Sequence, residues 1–227
     1  MGITAFAVLL ILWEVVSKTI FSESSLFPGP KGVFEAMANA ISNGELSSDV
    51  LSSVIRAAIG FFIGASAGTS FGILTATIKA FNLTFGPVAN FLRSIPSIAF
   101  LPLAVVWFGI GELSKVFLIA WSVFFPVWIN SHHGIMQADE HHVWAIKSLG
   151  ANTLQTLKEV ILPNALPLIV VGLRLGISMA FIALVAAEMA GSFSGIGYRI
   201  SASHLIFRVD KMLAGIVTLG VMGLLAD

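Results

Sequence analysis

The chain has no cysteine, which removes disulfides, thiolate zinc sites, iron–sulfur clusters and a cysteine nucleophile together. Charge is the next scarcity. Only 11% of the 227 residues are Asp, Glu, Lys or Arg, against about 25% in ordinary soluble domains. Twelve basic residues balance twelve acidic ones, so no basic face exists to attract nucleic acid, and nucleic acid is not an expected partner. A phosphate loop of the form G-x-x-x-x-G-K-[ST] is also missing, so any ATP would be handled by another chain. Ser, His and Asp occur, but none stands in the strand–turn–helix setting of a nucleophile elbow, and nothing argues for hydrolysis.

What is present in quantity is apolar: 57% hydrophobic residues and a mean hydropathy of +0.95. This composition belongs to a membrane protein. A bilayer core of about 30 Å needs roughly 20 apolar helical residues. Six windows qualify, at about 3–21, 50–78, 84–109, 114–134, 164–190 and 211–226, so the expected fold is an all-α membrane protein of about six transmembrane helices. The first window has no basic leader and no small-residue cleavage site, and reads as a retained membrane helix. Between the first two spans, "KGVFEAMANAI" has the pattern of a short amphipathic surface helix after Pro28 and Pro30. "KAFNLTFGP" and "GIGELSK" are short connections that make tight helical hairpins. Loop lysines and arginines barely orient the chain. Lys79, Lys147 and Lys158 would share one side and Lys18, Lys31, Lys115, Arg199, Arg208 and Lys211 the other.

Gly60, Gly64, Gly68 and Gly72 recur every fourth residue. They form one smooth helical stripe for close packing, either within the subunit or against a second one. Charges inside apolar spans are costly and face a cavity, a partner or the interface. Arg56, Arg93, Arg174 and Glu188 are the candidates. For Arg56 and Arg93 a headgroup-level position is the simpler reading. Arg174 and Glu188, fourteen residues apart, lie within about 40° on a helix wheel and are expected on one inward side. If a polar path crosses the bilayer, Arg93, Arg174 and Glu188 are its candidate charges. The doublets His132-His133 and His141-His142 lack the spacing of a metal site and read as structural or interfacial.

The polar stretch "SLGANTLQTLKEVILP" sits between two apolar runs. From Ile146 to Ile161 its larger apolar residues fall mostly on one side of a helix. Gly150 invites a turn, Pro163 is expected to end the segment, and Pro167 to fall early in the next helix. Such an apolar face, too short to span, must bury itself in headgroups or in a groove of another protein.

Here "WAIKSLGANTLQTLKEVILP" resembles the cytoplasmic loop signature of permease subunits of binding-protein-dependent ABC importers: E-A-A, three residues, G, nine residues, I-x-L-P. Ala145 matches the first alanine, Gly150 the glycine and Val160-Ile161-Leu162-Pro163 the closing element. Trp144 stands at the glutamate and Ile146 at the second alanine. "RSIPSIAFLPLAVVWFGIGELSKVFLI", "FFPVWIN" and "GLRLGISMAFIALVAAEMAGSFSGIGY" resemble the branch serving sulfonates, taurine, nitrate and bicarbonate. The resemblance implies a single permease domain over 1–227 in a bacterial inner membrane. Its coupling loop, at about 135–163, would dock through Ala145, Gly150, Leu154 and Leu157. The implied partners are two ATP-binding subunits, which hold the ATP and Mg, a second permease copy and an extracytoplasmic substrate-binding protein. The chain itself would carry no cofactor and no catalytic site. The rival class is a stand-alone secondary transporter or channel, which needs mid-membrane coupling-ion carboxylates and repeated broken helices.

Overall fold

The computed structural model describes residues 2–19 and 26–226. Helices joined by short turns make up these residues, with no strand among them. In chain order the helices are α1 (Gly2–Thr19), α2 (Pro30–Ser42), α3 (Glu45–Thr77), α4 (Lys79–Arg93), α5 (Leu101–Phe108), α6 (Glu112–Met136), α7 (Glu140–Ser148), α8 (Thr153–Thr156), α9 (Leu162–Gly191), α10 (Ile196–Leu205) and α11 (Val209–Ala226). A 3-10 turn, Ser97–Phe100, precedes α5, and a π-helical turn, Leu157–Ile161, joins α8 to α9. Among the described residues, four helical stretches are long and apolar enough to cross a membrane: Glu45–Thr77, Glu112–Met136, Thr153–Gly191 and Val209–Ala226. The window expected at 3–21 corresponds to α1, with residues 20 and 21 outside the described part.

Three expectations need correction. The window at 84–109 is not one straight helix: α4 and the helical stretch Ser97–Phe108 meet at 92°. Pro96 takes an extended ψ of 129° there, and as a proline it also lacks a helix donor and disfavours helical backbone at Ile95 before it. Hydropathy does not register that break. The connection expected over 79–87 is itself helical, because α4 starts at Lys79 and only Ile78, at φ −112° and ψ 100°, separates it from α3. Pro163 does not end the polar segment either. A continuous helix runs from Thr153 to Gly191. The π turn at Leu157–Ile161 lies just before the proline. An i→i+5 register widens the turn where the proline ring would clash with the carbonyl of Glu159, so the helix absorbs the proline instead of stopping.

The chain divides into two compact units, one from 1–55 with 185–226 and the other from 56–184. In the first, Gly29 caps α2 and Pro30 occupies its first turn, where a missing N–H costs little. The expected amphipathic helix buries Val33 and Ala36 against Ala214, with Trp13, Met37 and Leu213 around them.

In the second unit α6 is the central post, with Leu118, Ile119, Val123 and Val127 fully enclosed. Lipid is as apolar as leucine, so packing rather than water exclusion holds such helices together. The glycine stripe makes that packing close. An added Cβ would stand 2.6 Å from the Ile119 Cβ at Gly60, 2.6 Å from the Phe124 carbonyl oxygen at Gly68 and 2.6 Å from the Ser131 Cβ at Gly72. At Gly64 it would run into the Ala120 carbonyl. On its other flank α6 receives α9, where a Cβ at Gly172 would be 2.7 Å from that of Asn130. The stripe is therefore taken up inside the protomer. Beside it the Trp128 indole donates to Thr75 Oγ1 at 3.1 Å, and Thr75 lies 3.0 Å from His132 Nδ1.

Candidate coupling segment and charged clusters

The loop between α6 and α9 is built by capping. Asp139 accepts from the His141 amide at 2.8 Å and starts α7. The helix ends at Gly150, whose φ of +89° suits glycine alone among common residues. The Gly150 amide bonds the Lys147 carbonyl at 3.0 Å and the Ala151 amide the Ile146 carbonyl at 3.2 Å, a Schellman closure. Two residues on, Asn152 and Gln155 form a reciprocal capping box, both bonds at 2.8 Å, which starts the next helix. The segment is thus α7, a tight turn and α8, not one helix over 146–161.

The named docking residues sit on this elbow. Ala145 is exposed on α7, Gly150 makes the turn, Leu154 is exposed on α8 and Leu157 is half-buried at the head of the π turn. Two exposed apolar side chains join them: Trp144, and Leu149 at 88% exposure. Leu149 belongs to the apolar face expected over 146–161 but not to the expected docking residues, because one helix over that range gives it no special place. It becomes prominent only once α7 stops beneath it.

The path candidates fare differently. Arg93 is exposed in the last turn of α4, and Arg174 is exposed on α9. Glu188 is 1% exposed, so the expectation of one inward side for Arg174 and Glu188 does not hold within the protomer. A wheel angle assumes one environment along the helix, and α9 is too long for that. Within the first unit, the Glu188 carboxylate accepts from Ser53 Oγ at 2.8 and 3.0 Å and from the Gly197 amide at 2.9 Å. Ser53 Oγ accepts from the Ile196 amide at 2.9 Å. Asp49 accepts from the Gly195 amide at 2.9 Å and from Arg199 Nε at 2.7 Å. These carboxylates satisfy the first amides of α10 and anchor the turn out of α9, a structural task. Nearby, a hydrogen bond to Asp210 raises the pKa of Arg208 above its ordinary value.

A second cluster lies in the other unit, at the head of α6. Arg56 forks onto Glu112, Nε to Oε2 at 2.5 Å and Nη2 to Oε1 at 2.8 Å. Lys115 Nζ reaches the same Oε1 at 3.0 Å. The side chains of Arg56 and Lys115 are 7% and 6% exposed, whereas that of Glu112 is 61% exposed. Arg56 is therefore enclosed within the protomer, paired to an exposed carboxylate. Lys115 was read only as a loop charge, although its i, i+3 spacing from Glu112 was the available signal. Among the described residues, no group of three or more His, Asp and Glu could hold a metal ion.

The described residues thus form an all-α chain with several helices long and apolar enough to cross a membrane and a capped elbow with exposed apolar side chains between two of them, the class of a multi-pass membrane protein. Comparison with known proteins gives that class its family. The sequence model of the binding-protein-dependent transport system inner membrane component matches residues 68–227, and the chain belongs to this family of ABC importer permeases. A candidate aliphatic sulfonates transport permease protein, SsuC of Bacillus subtilis, is 37% identical over 226 residues, covering 100% of this chain and 82% of its own. The taurine transport system permease protein TauC of Escherichia coli is 31% identical over 235 residues, covering 100% and 84%. The nitrate import permease protein NrtB of Synechocystis is 30% identical over 232 residues, covering 98% and 83%. Among solved structures, the inward-facing MetNI methionine ABC transporter superposes with a TM-score of 0.66 at 21% identity, covering 78% of this chain and 89% of the other. An amino acid ABC transporter crystallised with histidines gives 0.68 at 18% identity, covering 83% and 92%. Those two likenesses concern the fold. The chain is accordingly the transport subunit, without an ATPase site of its own, and ATP hydrolysis falls to a partner.

Proposed function

We propose that this chain is the permease of an ATP-driven importer for a small oxyanion, with aliphatic sulfonate or taurine ahead of nitrate or bicarbonate as cargo. The cargo reading is supported by relatives named for aliphatic sulfonates, taurine and nitrate that match nearly the whole chain. Residues 1–227 act as one permease domain in a bacterial inner membrane, with the elbow and both termini cytoplasmic. Two copies pair, two ATP-binding subunits with their Mg sit beneath them, and an extracytoplasmic binding protein delivers cargo to the outer face.

The observation that supports the docking role is the elbow itself. Trp144, Leu149 and Leu154 are large, apolar and exposed on helices whose ends are fixed by the Gly150 closure and the Asn152–Gln155 box. A rigid apolar knob suits a cleft on a soluble partner. Ala145, where a small side chain allows close approach, Gly150 and Leu157 complete the contact. Closure of the ATPase pair then moves the elbow, and rigid-body rocking of the spanning helices alternates access to a path between the two copies. Such coupling requires the elbow to bind the two ATPase states with different affinity.

The test is co-purification of the tagged chain with its ATPase subunit in mild detergent, comparing wild type, Leu149→Asp and Leu154→Asp. ATPase activity is expected with wild type and is expected to be lost with both inserted variants. An ATPase that binds all three equally would sink the docking role.

A further inference from the structure

We propose that the Arg56–Glu112–Lys115 cluster at the head of α6 is an oxyanion site on the transport route, in which Glu112 is a built-in counter-ion that the anionic group of the cargo displaces. The inference deepens the oxyanion reading and rests on it for the identity of the cargo.

Two cations are buried to more than nine-tenths, yet the carboxylate they share is more than half exposed. The anion thus sits on the open side of the cluster and the cations behind it, so an arriving anion meets the replaceable member first. Three nitrogen atoms converge on the two oxygens of Glu112. A sulfonate or a nitrate offers a comparable pair of oxygens to the guanidinium fork. The Lys115 ammonium has three N–H donors and spends one on Glu112, which leaves capacity for a third cargo oxygen. An exchange of anions keeps the guanidinium fork and the ammonium served on this open side of the cluster throughout.

Space is available beside the cluster. An added Cβ at Gly109 or at Gly111 would meet nothing within 4 Å. The amides at the N-terminus of the 25-residue α6 add favourable potential for an anion. This end of α6 is opposite the one that leads into α7, so it faces away from the coupling segment. That is the side on which cargo arrives. An internal competitor also keeps the hold on the cargo weak, and a transport route needs release as much as capture.

The test is butanesulfonate binding to the assembled complex in nanodiscs, followed by calorimetry at fixed ionic strength with butanol as the uncharged control. Wild type is expected to bind weakly, E112Q about tenfold more tightly because the competitor is gone, and E112Q/K115Q to lose that gain. Because E112Q removes the carboxylate charge that the buried Arg56 fork and Lys115 share, E112D, which keeps the charge but shortens its reach, serves as the second variant and is expected to show an intermediate gain. Binding by E112Q and E112D no tighter than wild type, or a gain that survives K115Q, overturns the proposal. Uptake of butanesulfonate by wild type is measured separately. Failure there alongside the E112Q gain removes sulfonate as cargo and leaves the anion site standing.

Discussion

At the scale of single residues, two glycines with positive φ show how differently one substitution acts. Gly150 has φ +89° and Gly195 has φ +108°, so an L side chain is strained at both. An added Cβ at Gly150 meets nothing within 4 Å. Gly150→Ala is therefore expected to cost only the backbone strain, about 1–2 kcal/mol, leaving the helices on either side intact. At Gly195 the Cβ would run into the Glu188 carboxylate, which is itself bonded to Ser53 and the Gly197 amide. Gly195→Ala is expected to add the loss of a buried carboxylate network to the strain, on the order of 3 kcal/mol or more. Thermal unfolding of the two purified variants in the same detergent checks this ordering. Equal shifts would mean that the Glu188 network does not hold the turn. The sequence showed Gly150 through its place in a polar segment and a family signature, whereas Gly195 gave no sign. Its partners, Asp49 and Glu188, are 146 and 7 positions away, and only the fold brings them together.

At the scale of helices, legibility followed continuity. The spans at 114–134 and 211–226 match α6 and α11 to within two residues, because each stays helical from end to end, α6 even across Pro126. The helix over α2 was readable from its period and from Pro30. Prolines caused the errors: Pro96 breaks an apolar stretch that hydropathy reads as whole, and Pro163 is accommodated where proline was expected to terminate. The π turn before Pro163 supports a direct test. Pro163→Ala restores the amide hydrogen and removes the ring clash, so Leu157–Ile161 is expected to relax to α geometry. One residue fewer in the wider turn rotates α8 against α9 by about 100° and turns Leu154 away from its present face. Slower amide exchange at 157–161 together with weaker coupling of ATP hydrolysis to transport is the expected pair of results. Unchanged coupling with slower exchange would show that the π turn serves no purpose beyond accommodating the proline. The glycine stripe gives a second test. Gly64→Val puts a branched side chain against the Ala120 carbonyl and Val123, and α3 cannot then seat on α6. A fall in the yield of folded protein is expected, while Ala67→Val, on another face of the same helix, is expected to be tolerated. Similar yields for both would show that α3 and α6 do not need this approach.

At the scale of the whole molecule, the decisive quantity is the length of the stretch Thr153–Gly191. At 1.5 Å per residue its 39 residues extend about 58 Å, well beyond a hydrocarbon core of about 30 Å. Its two ends must therefore emerge on opposite membrane faces, with the excess projecting as the α8 arm of the elbow. The length of the helix thus separates its two ends across the bilayer, and the docking role proposed for the elbow assigns its own end to the cytoplasm. Leu154 on α8 and Phe193 just beyond α9 are both strongly exposed and mark the two ends. The chain's lack of cysteine makes single-cysteine labelling free of background. In sealed, right-side-out membrane vesicles an impermeant maleimide is expected to modify Phe193→Cys readily and Leu154→Cys only after permeabilisation. Adding the ATPase subunit is then expected to slow labelling at Leu154→Cys and not at Phe193→Cys, since only the former lies on the docking elbow. Labelling of both from outside would mean that the long helix does not cross, and the permease architecture would have to be rebuilt around α6 and α11. Labelling with the opposite sidedness would keep the crossing but place the elbow outside, away from any cytoplasmic ATPase.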